Sequence, residues 1–208
     1  MKKKKVVVLH SGGLDSTVCL HMAVVRGHEV LSLGVNYNQH HHVELDYAAK
    51  QCATLGVERK VISVAWDKPA RVIPMNRSVD EIKASVSVAF LPGRNGIFLM
   101  LASAEAAGIG AQEVWTGINS VDFSGYPDCR KEFVDSFQRM LAFAIPKGPR
   151  LVAPLQNKSK PQIAKMAERL GIKQTDTWSC YRPAITATGL SPCRACDACK
   201  LHDFAWRG

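Results

Sequence analysis

Val6-Val7-Val8-Leu9 runs straight into the turn Ser11-Gly12-Gly13, and Asp15 to Val25 behind it carries apolar residues at Val18, Leu20, Met22 and Val25. A β-branched run closed by glycines reads as a strand and the stretch behind it as a helix, so strand, tight loop and helix follow directly on one another. The alternation continues. Glu29 to Val35 is a second apolar strand, Glu44 to Leu55 a helix closed by Gly56 in the C-cap position, and Lys60 to Val64 a third strand. A β-α-β-α-β order predicts an α/β, Rossmann-like parallel sheet with helices on both faces and right-handed crossovers.

Further along, Trp66 to Asn95 holds Pro69, Pro74, Pro92 and Gly93 and little periodicity, with a helical turn at Val79 to Ala84. Ile97 to Ile109 is almost all apolar or small and predicts a buried helix, with a strand at Glu113 to Thr116 behind it. Arg130 to Ala144 has helical spacing, Leu151 to Ala153 reads as a short strand, and Lys160 to Leu170 as a helix ending at Gly171. The remainder is a cysteine-rich tail, so the chain divides into a nucleotide-type domain over 1–176 and a small segment over 177–208. There is no internal repeat.

A length of 208 residues suits one buried domain with a small appendage, and 47% apolar with 22% charged residues matches a globular protein. The net charge of +9 suits phosphates or nucleotides, but Lys2 to Lys5 supply four of those charges and can be a solvated terminal run. No arginine-rich helix or aromatic stacking motif accompanies the charge, so no stable nucleic-acid complex is expected. The apolar run after the lysines is too short for a signal-peptide core, and nothing reaches the roughly 18 apolar residues of a membrane span. The chain reads as cytoplasmic with no membrane partner. In a reducing compartment its closely spaced cysteines point to metal before disulfide.

Ser11-Gly12-Gly13-Leu14-Asp15-Ser16-Thr17 stands between the first strand and the first helix, where strand ends open onto a ligand crevice. Glycines let the backbone approach an anion, and the helix offers unpaired N–H groups and its positive dipole end to phosphate oxygens. Ser16 and Thr17 add hydroxyls, and Asp15 is placed to hold Mg²⁺ on a nucleotide. The alternative is a plain turn with Ser11 or Ser16 as a helix cap. Neither a Walker loop nor Gly-x-Gly-x-x-Gly is present. Ser-Gly-Gly-x-Asp-Ser after an N-terminal strand resembles the PP-loop ATP pyrophosphatases, of adenine nucleotide alpha hydrolase-like fold, which adenylate a substrate and release pyrophosphate.

Cys193, Cys196 and Cys199 are each separated by two residues, and Cys180 lies thirteen positions upstream of the first. Four thiolates suit a closed tetrahedral zinc site, structural rather than catalytic. The rival is an iron–sulfur cluster, which C-x₂-C-x₂-C also opens, although Lys200-Leu201-His202 follows here instead of the ferredoxin continuation. His202 is a further candidate ligand. Cys19 and Cys52 read as packing residues on helices, and Cys129 is ambiguous.

Seven blocks occur in one order: His10 to Leu20, Tyr37-Asn38-Gln39-His40-His41 with Glu44, Pro92-Gly93-Arg94-Asn95, Tyr126-Pro127-Asp128-Cys129-Arg130, Pro154-Leu155 with Lys160, Thr177-Trp178-Ser179-Cys180, and the terminal cysteines. Together they resemble the 7-cyano-7-deazaguanine synthase family of the queuosine pathway over nearly the whole chain. The resemblance implies a homodimeric ligase that takes ATP with Mg²⁺, ammonia and 7-carboxy-7-deazaguanine, and carries one structural Zn²⁺ on Cys180, Cys193, Cys196 and Cys199. It implies a nucleotide site at His10, Ser11, Gly12, Gly13, Leu14, Asp15, Ser16 and Thr17. Tyr37, Gln39, Arg94, Asn95, Asp128 and Arg130 are expected at the substrate, and Asp15, Ser16, Lys160 and His41 in the reaction. Asp128 would accept from the amidine-like ring edge, or else cap the helix that starts beside Arg130. Arg94 would bind the carboxylate or a phosphate, or else form a surface ion pair. Lys160 would neutralise nucleotide charge, and His41 would donate to, or deprotonate, ammonium. Asn38 and His40 stand where the family usually has Gly and Arg, and the Cys180–Cys193 gap is longer than usual. A PP-loop tRNA-thiolating enzyme, with a catalytic cysteine pair or iron–sulfur cluster, and a non-catalytic zinc-stabilised nucleotide-binding module are the alternatives.

Overall fold

The N-terminal valine run forms the middle of the sheet. In the computed structural model, which describes residues 2–38, 43–66, 73–84, 90–120, 126–187 and 189–207, β1 (Lys5–Leu9) pairs in parallel with β2 (Glu29–Asn36) on one side and β4 (Glu113–Trp115) on the other. β3 (Glu58–Ser63) lies outside β2 and β5 (Arg150–Val152) outside β4, giving the all-parallel order β3-β2-β1-β4-β5. Side chains alternate along a strand, so β1 feeds two cores. Val6 and Val8 pack with Leu14, Val18, Leu20, Leu155 and Ile163 on one face, and Val7 packs with Leu33, Leu99, Ala102 and Phe137 on the other. All three valines are fully buried, each contributing about 1.5–3 kcal/mol of hydrophobic stabilisation. This is why the strand reads as an unbroken apolar run rather than as an alternating one.

Helices α1 (Leu14–Val25), α2 (Val43–Leu55), α4 (Arg94–Gly108), α5 (Lys131–Ala144) and α6 (Lys160–Arg169) flank the sheet, and a short α3 (Val79–Lys83) precedes α4. The architecture is the one the alternation predicts. The strand order reverses between β1 and β4, so the loops leaving their C-terminal ends diverge and open a crevice. Cys19 and Cys52 are packed in the core, as their helical positions suggest.

Three local features depart from the sequence expectation. α4 starts at Arg94 rather than Ile97, because the Asp128 carboxylate accepts the Asn95 backbone N–H at 3.1 Å and satisfies the first turn from outside. Asp128 therefore caps α4 and not α5, whose N-cap residue, Arg130, makes no side-chain cap bond. The tail is not irregular: a hairpin of β6 (Ala184–Thr186) and β7 (Gly189–Ser191) fills the long cysteine gap, and α7 (Asp197–Arg207) follows. α7 packs on α6 and α3, and its Ala205 and Trp206 reach the main core. The segment before α3 is also ordered against the tail. Met75 forms an isolated antiparallel bridge with Cys196, Asn76 N donates to Ala195 O at 2.8 Å, and Arg77 pairs with the buried Asp197. Among the described residues no helix is long and apolar enough to cross a membrane.

Candidate active site and metal centre

A cavity of about 420 Å³ opens at the C-terminal ends of β1 and β4. One end is built on the loop between β1 and α1. Gly12 has φ +96, and a Cβ there would lie 2.1 Å from the Glu44 carbonyl oxygen, so this position is reserved for glycine by the first turn of α2. Its own carbonyl accepts from Trp178 N at 3.0 Å. Gly13 lines the cavity and is the N-cap of α1, which leaves first-turn N–H groups facing the ligand space. Ser11 and Ser16 stand hydroxyl to hydroxyl at 3.2 Å, Ser16 Oγ donates to Gly13 O at 3.1 Å and Thr17 Oγ1 does so at 2.7 Å. The β4 loop closes on the same turn: a Cβ on Gly117 would meet Ser16 N at 2.9 Å.

Asp15, in the first turn of α1, pairs through Oδ2 with Lys160 and accepts from Asn119 Nδ2 at 2.9 Å. Its Oδ1 is buried with no hydrogen-bond partner among the described residues. A carboxylate oxygen left open beside an anion loop fits a divalent cation carried by a nucleotide. Lys160 is the first residue of α6, whose start is fixed by a Ser159–Gln162 capping box and Pro161, so the ammonium is aimed from a rigid helix end. Asn119 carries no local sequence signal. It comes from the strand end that adjoins β1 only in the folded sheet.

His10 is buried, and its imidazole belongs to the scaffold. Arg59 donates to Ser32 Oγ at 2.8 Å, Ser32 Oγ stands 3.1 Å from His10 Nδ1, His10 Nε2 stands 2.9 Å from Gln51 Oε1, and Gln51 donates to Asp176 O. The chain is consistent only with Ser32 donating to Nδ1 and a proton on Nε2. Burial, with the Arg59 charge in the same direction, pushes the His10 pKa down to about 3. A neutral His10 thus ties the loop to β2 and α2.

The far end of the cavity is aromatic. Tyr37, Phe98, Tyr126 and Tyr181 line it with Arg94. Tyr37 packs on Phe98 with ring centres 5.2 Å apart and accepts from Arg94 at 3.4 Å, while Tyr126 stacks on Phe90 at 5.0 Å. Asn95 also lines this end and holds the Asp128 carbonyl and the Cys129 thiol through Nδ2, at 3.1 and 3.3 Å. Asp128 and Arg130 themselves do not line the cavity: the first is buried against α4 and the second is exposed. Burial, reinforced by the Asp128 carboxylate, pushes the Cys129 thiol up to about 11, so it stays protonated. Among the described residues no second cysteine reaches the cavity. Asn38 adopts φ 56, a conformation that glycine favours and asparagine tolerates, so its departure from the family pattern costs little strain. Gln39, His40, His41 and His42 lie outside the described residues.

Behind the aromatic end, the sulfurs of Cys180, Cys193, Cys196 and Cys199 all lie within 4.8 Å of one another, with Cys193 and Cys199 3.9 Å apart. Bonds of about 2.3 Å to one tetrahedral ion require sulfur–sulfur edges of about 3.8 Å, so the set fits a single ion. A four-iron cube places metal and sulfide between its thiolates and needs a wider set. Cys193 N donates to Cys180 Sγ at 3.3 Å and Cys196 N to Cys193 Sγ at 3.4 Å. Hydrogen bonds from Cys180 and Cys199 hold Cys196 far below the usual thiol range, as a thiolate. His202 is not in the cluster, and its Nε2 is engaged by Thr177 and Trp206.

A doubly wound parallel sheet, with an anion loop at its switch point and a four-thiol cluster on its C-terminal segment, places the protein among nucleotide-handling α/β proteins. Sequence comparison narrows that class. The chain belongs to the family described as queuosine biosynthesis protein QueC, whose profile matches residues 5–208. It is 56% identical over 207 residues to 7-cyano-7-deazaguanine synthase 2 of Rhodopseudomonas palustris (strain HaA2), covering 100% of this chain and 99% of that protein. It is 42% identical over 205 residues to 7-cyano-7-deazaguanine synthase of Novosphingobium aromaticivorans, covering 94% and 87%. Among solved structures it resembles the U34-tRNA thiolase NcsA from Methanococcus maripaludis with its 4Fe-4S cluster. The TM-score there is 0.54 at 19% identity, over 83% of this chain and 59% of that one, a likeness of fold.

Proposed function

We propose that the chain is an ATP-dependent ligase that converts 7-carboxy-7-deazaguanine and ammonia to 7-cyano-7-deazaguanine. The observation that carries this reading is the two-ended cavity, with Asp15, Ser16 and Lys160 on an anion loop at one end and Arg94 among aromatic rings at the other. A carboxylate is a poor electrophile. Transfer of AMP to one of its oxygens, with pyrophosphate leaving against the α1 N-terminus and Lys160, gives an acyl adenylate that ammonia converts to the amide with loss of AMP. A second AMP transfer to the amide oxygen, followed by its loss, leaves the nitrile, so each carboxyl oxygen departs on one AMP. The open Asp15 Oδ1 supports a role in holding the nucleotide's Mg²⁺.

In this reading 1–176 is the catalytic domain and 177–208 its metal-bearing segment, with Zn²⁺ on the four cysteines as a structural ion. Ser11 to Thr17 hold phosphate, with His10 acting through the scaffold. Tyr37, Arg94 and Asn95 face the deazaguanine and Asp128 and Arg130 support that wall from outside the cavity, while Gln39 is assigned to the substrate and His41 to the ammonia step on the family resemblance alone. The family resemblance supports a cytoplasmic homodimer. Thiolation is not favoured, because among the described residues only one cysteine, Cys129, lines the cavity, and it is protonated. Incubation with ATP, Mg²⁺, ammonium and carboxydeazaguanine is expected to yield AMP and a nitrile. Folded, metal-loaded protein that makes no nitrile refutes the assignment.

A further inference from the structure

One polar group on the cavity wall has no task in this reaction. His202 sits on α7, and its ring lines the same cavity as Asp15 and Lys160, close enough for both charges to act on it. Its Nε2 is engaged within the protein: Trp206 Nε1 donates to it at 3.2 Å, and Thr177 Oγ1, which also lies 3.2 Å from Gln174 O, stands 2.8 Å away. An indole N–H can only donate, so Nε2 is the unprotonated nitrogen and the proton of the neutral ring sits on Nδ1. Burial lowers the pKa of the ring below its ordinary value and keeps it neutral, with Lys160 acting in the same direction and Asp203 and Asp15 against it. Nδ1 has no hydrogen-bond partner among the described residues, whereas the ring's one lone pair is spent on Trp206. A group in this state can give a hydrogen bond into the cavity but cannot take a proton from it, which excludes a base for ammonium and selects an anionic oxygen.

We propose that His202 is a nucleotide-binding residue, its neutral imidazole donating Nδ1–H to a phosphate oxygen of the ligand held beside Lys160. This rests on the nucleotide reading of the cavity and adds to it that the metal-bearing segment supplies a ligand contact. The ring is aimed by its own helix, which begins at Asp197 beside Cys196 and carries Cys199 in its first turn.

The test uses the full, metal-loaded chain and inorganic pyrophosphate as the probe. His202→Leu is expected to weaken pyrophosphate binding in calorimetry by about tenfold or more, the effect of losing a hydrogen bond to a charged group. His202→Asn, which keeps a donor at the Nδ1 position, is expected to recover most of the affinity. With ¹⁵N-histidine in the unsubstituted protein, long-range ¹H–¹⁵N spectra are expected to show His202 protonated on Nδ1, with that nitrogen shifting as pyrophosphate is added. This arm does not depend on how the variants fold. Unchanged affinity in folded His202→Leu, a proton on Nε2, or an Nδ1 signal indifferent to pyrophosphate overturns the proposal. Absence of nitrile synthesis with these signals intact removes only the substrate assignment, whereas a parent protein that binds no pyrophosphate removes the nucleotide reading and this proposal with it.

Discussion

Gly12→Ala and Gly13→Ala separate a glycine required by packing from one that faces the ligand. An alanine methyl at 12 would stand 2.1 Å from Glu44 O, where ordinary contact begins at 3.4 Å, so the start of α2 must retreat by the difference, 1.3 Å. Left-handed backbone adds about 1–2 kcal/mol for a residue with a Cβ, and forced overpacking about 1–3 kcal/mol. A total near 3 kcal/mol in a chain of this size lowers Tm by about 6–12 °C. At Gly13 the backbone is ordinary, φ −78, and the nearest atoms to a Cβ are Ser11 Oγ at 3.5 Å and Trp178 O at 3.6 Å. Alanine there costs about 1 kcal/mol or less, the N-cap preference for glycine over alanine, but it narrows the anion site. Calorimetric melting with pyrophosphate titration reads both quantities. Gly12→Ala should melt much earlier than Gly13→Ala, while Gly13→Ala should bind more weakly than the parent at nearly unchanged Tm. A Gly12→Ala protein with the parent's Tm would refute the packing argument.

Lys160→Met should leave the fold intact, since Ser159 and Gln162 still cap α6, yet lower AMP release by about 100-fold or more, the usual loss when one charge-stabilising donor is removed. AMP release unchanged at saturating ATP would count against a role for Lys160. Cys196→Ser should abolish the bound metal, measured as metal per chain, and destabilise the C-terminal segment, because the site's binding energy is folding energy. His10 titrates near 6.5 when unfolded and near 3 when folded, so the unfolded state binds more protons between those values and stability is lost as pH falls below 6.5. The loss is about 1.4 kcal/mol per unit. The stability advantage of the parent over His10→Gln should therefore shrink by about 2 kcal/mol between pH 7.5 and 5 in denaturant titrations. An equal advantage at both pH values would mean that His10 is not buried neutral.

What could be read from the sequence was local. The unbroken run Val6-Val7-Val8 marks a strand covered on both faces, the glycines behind it mark the loop, and the two-residue spacings of Cys193, Cys196 and Cys199 mark a thiol cluster suited to a metal. What could not be read depends on chain segments meeting. Asn119 reaches Asp15 across 104 positions, and the Asp128 carboxylate caps a helix 33 positions upstream. Nothing near either residue signals its partner. α7 had a signal that the cysteines obscured, since Ala198, Leu201 and Ala205 recur at helical spacing. The hairpin has only three residues per strand, and although Ile185 and Leu190 face each other across it, both are exposed, so it lacks the half-buried alternation that identifies a strand.

The contact of residues 75–77 with Ala195, Cys196 and Asp197 joins parts of the chain that are made far apart in time. Ile82 and Lys83, on the helix that follows, form one wall of the cavity. During synthesis that wall has no surface to settle on until the cysteine knuckle has emerged and closed. On the proposal that the four cysteines hold a structural ion, metal supply would act on this protein at its birth: a chain finished without the ion would have its loop and sheet in place but no enclosed site, so scarcity would appear as fewer competent molecules rather than as slower ones.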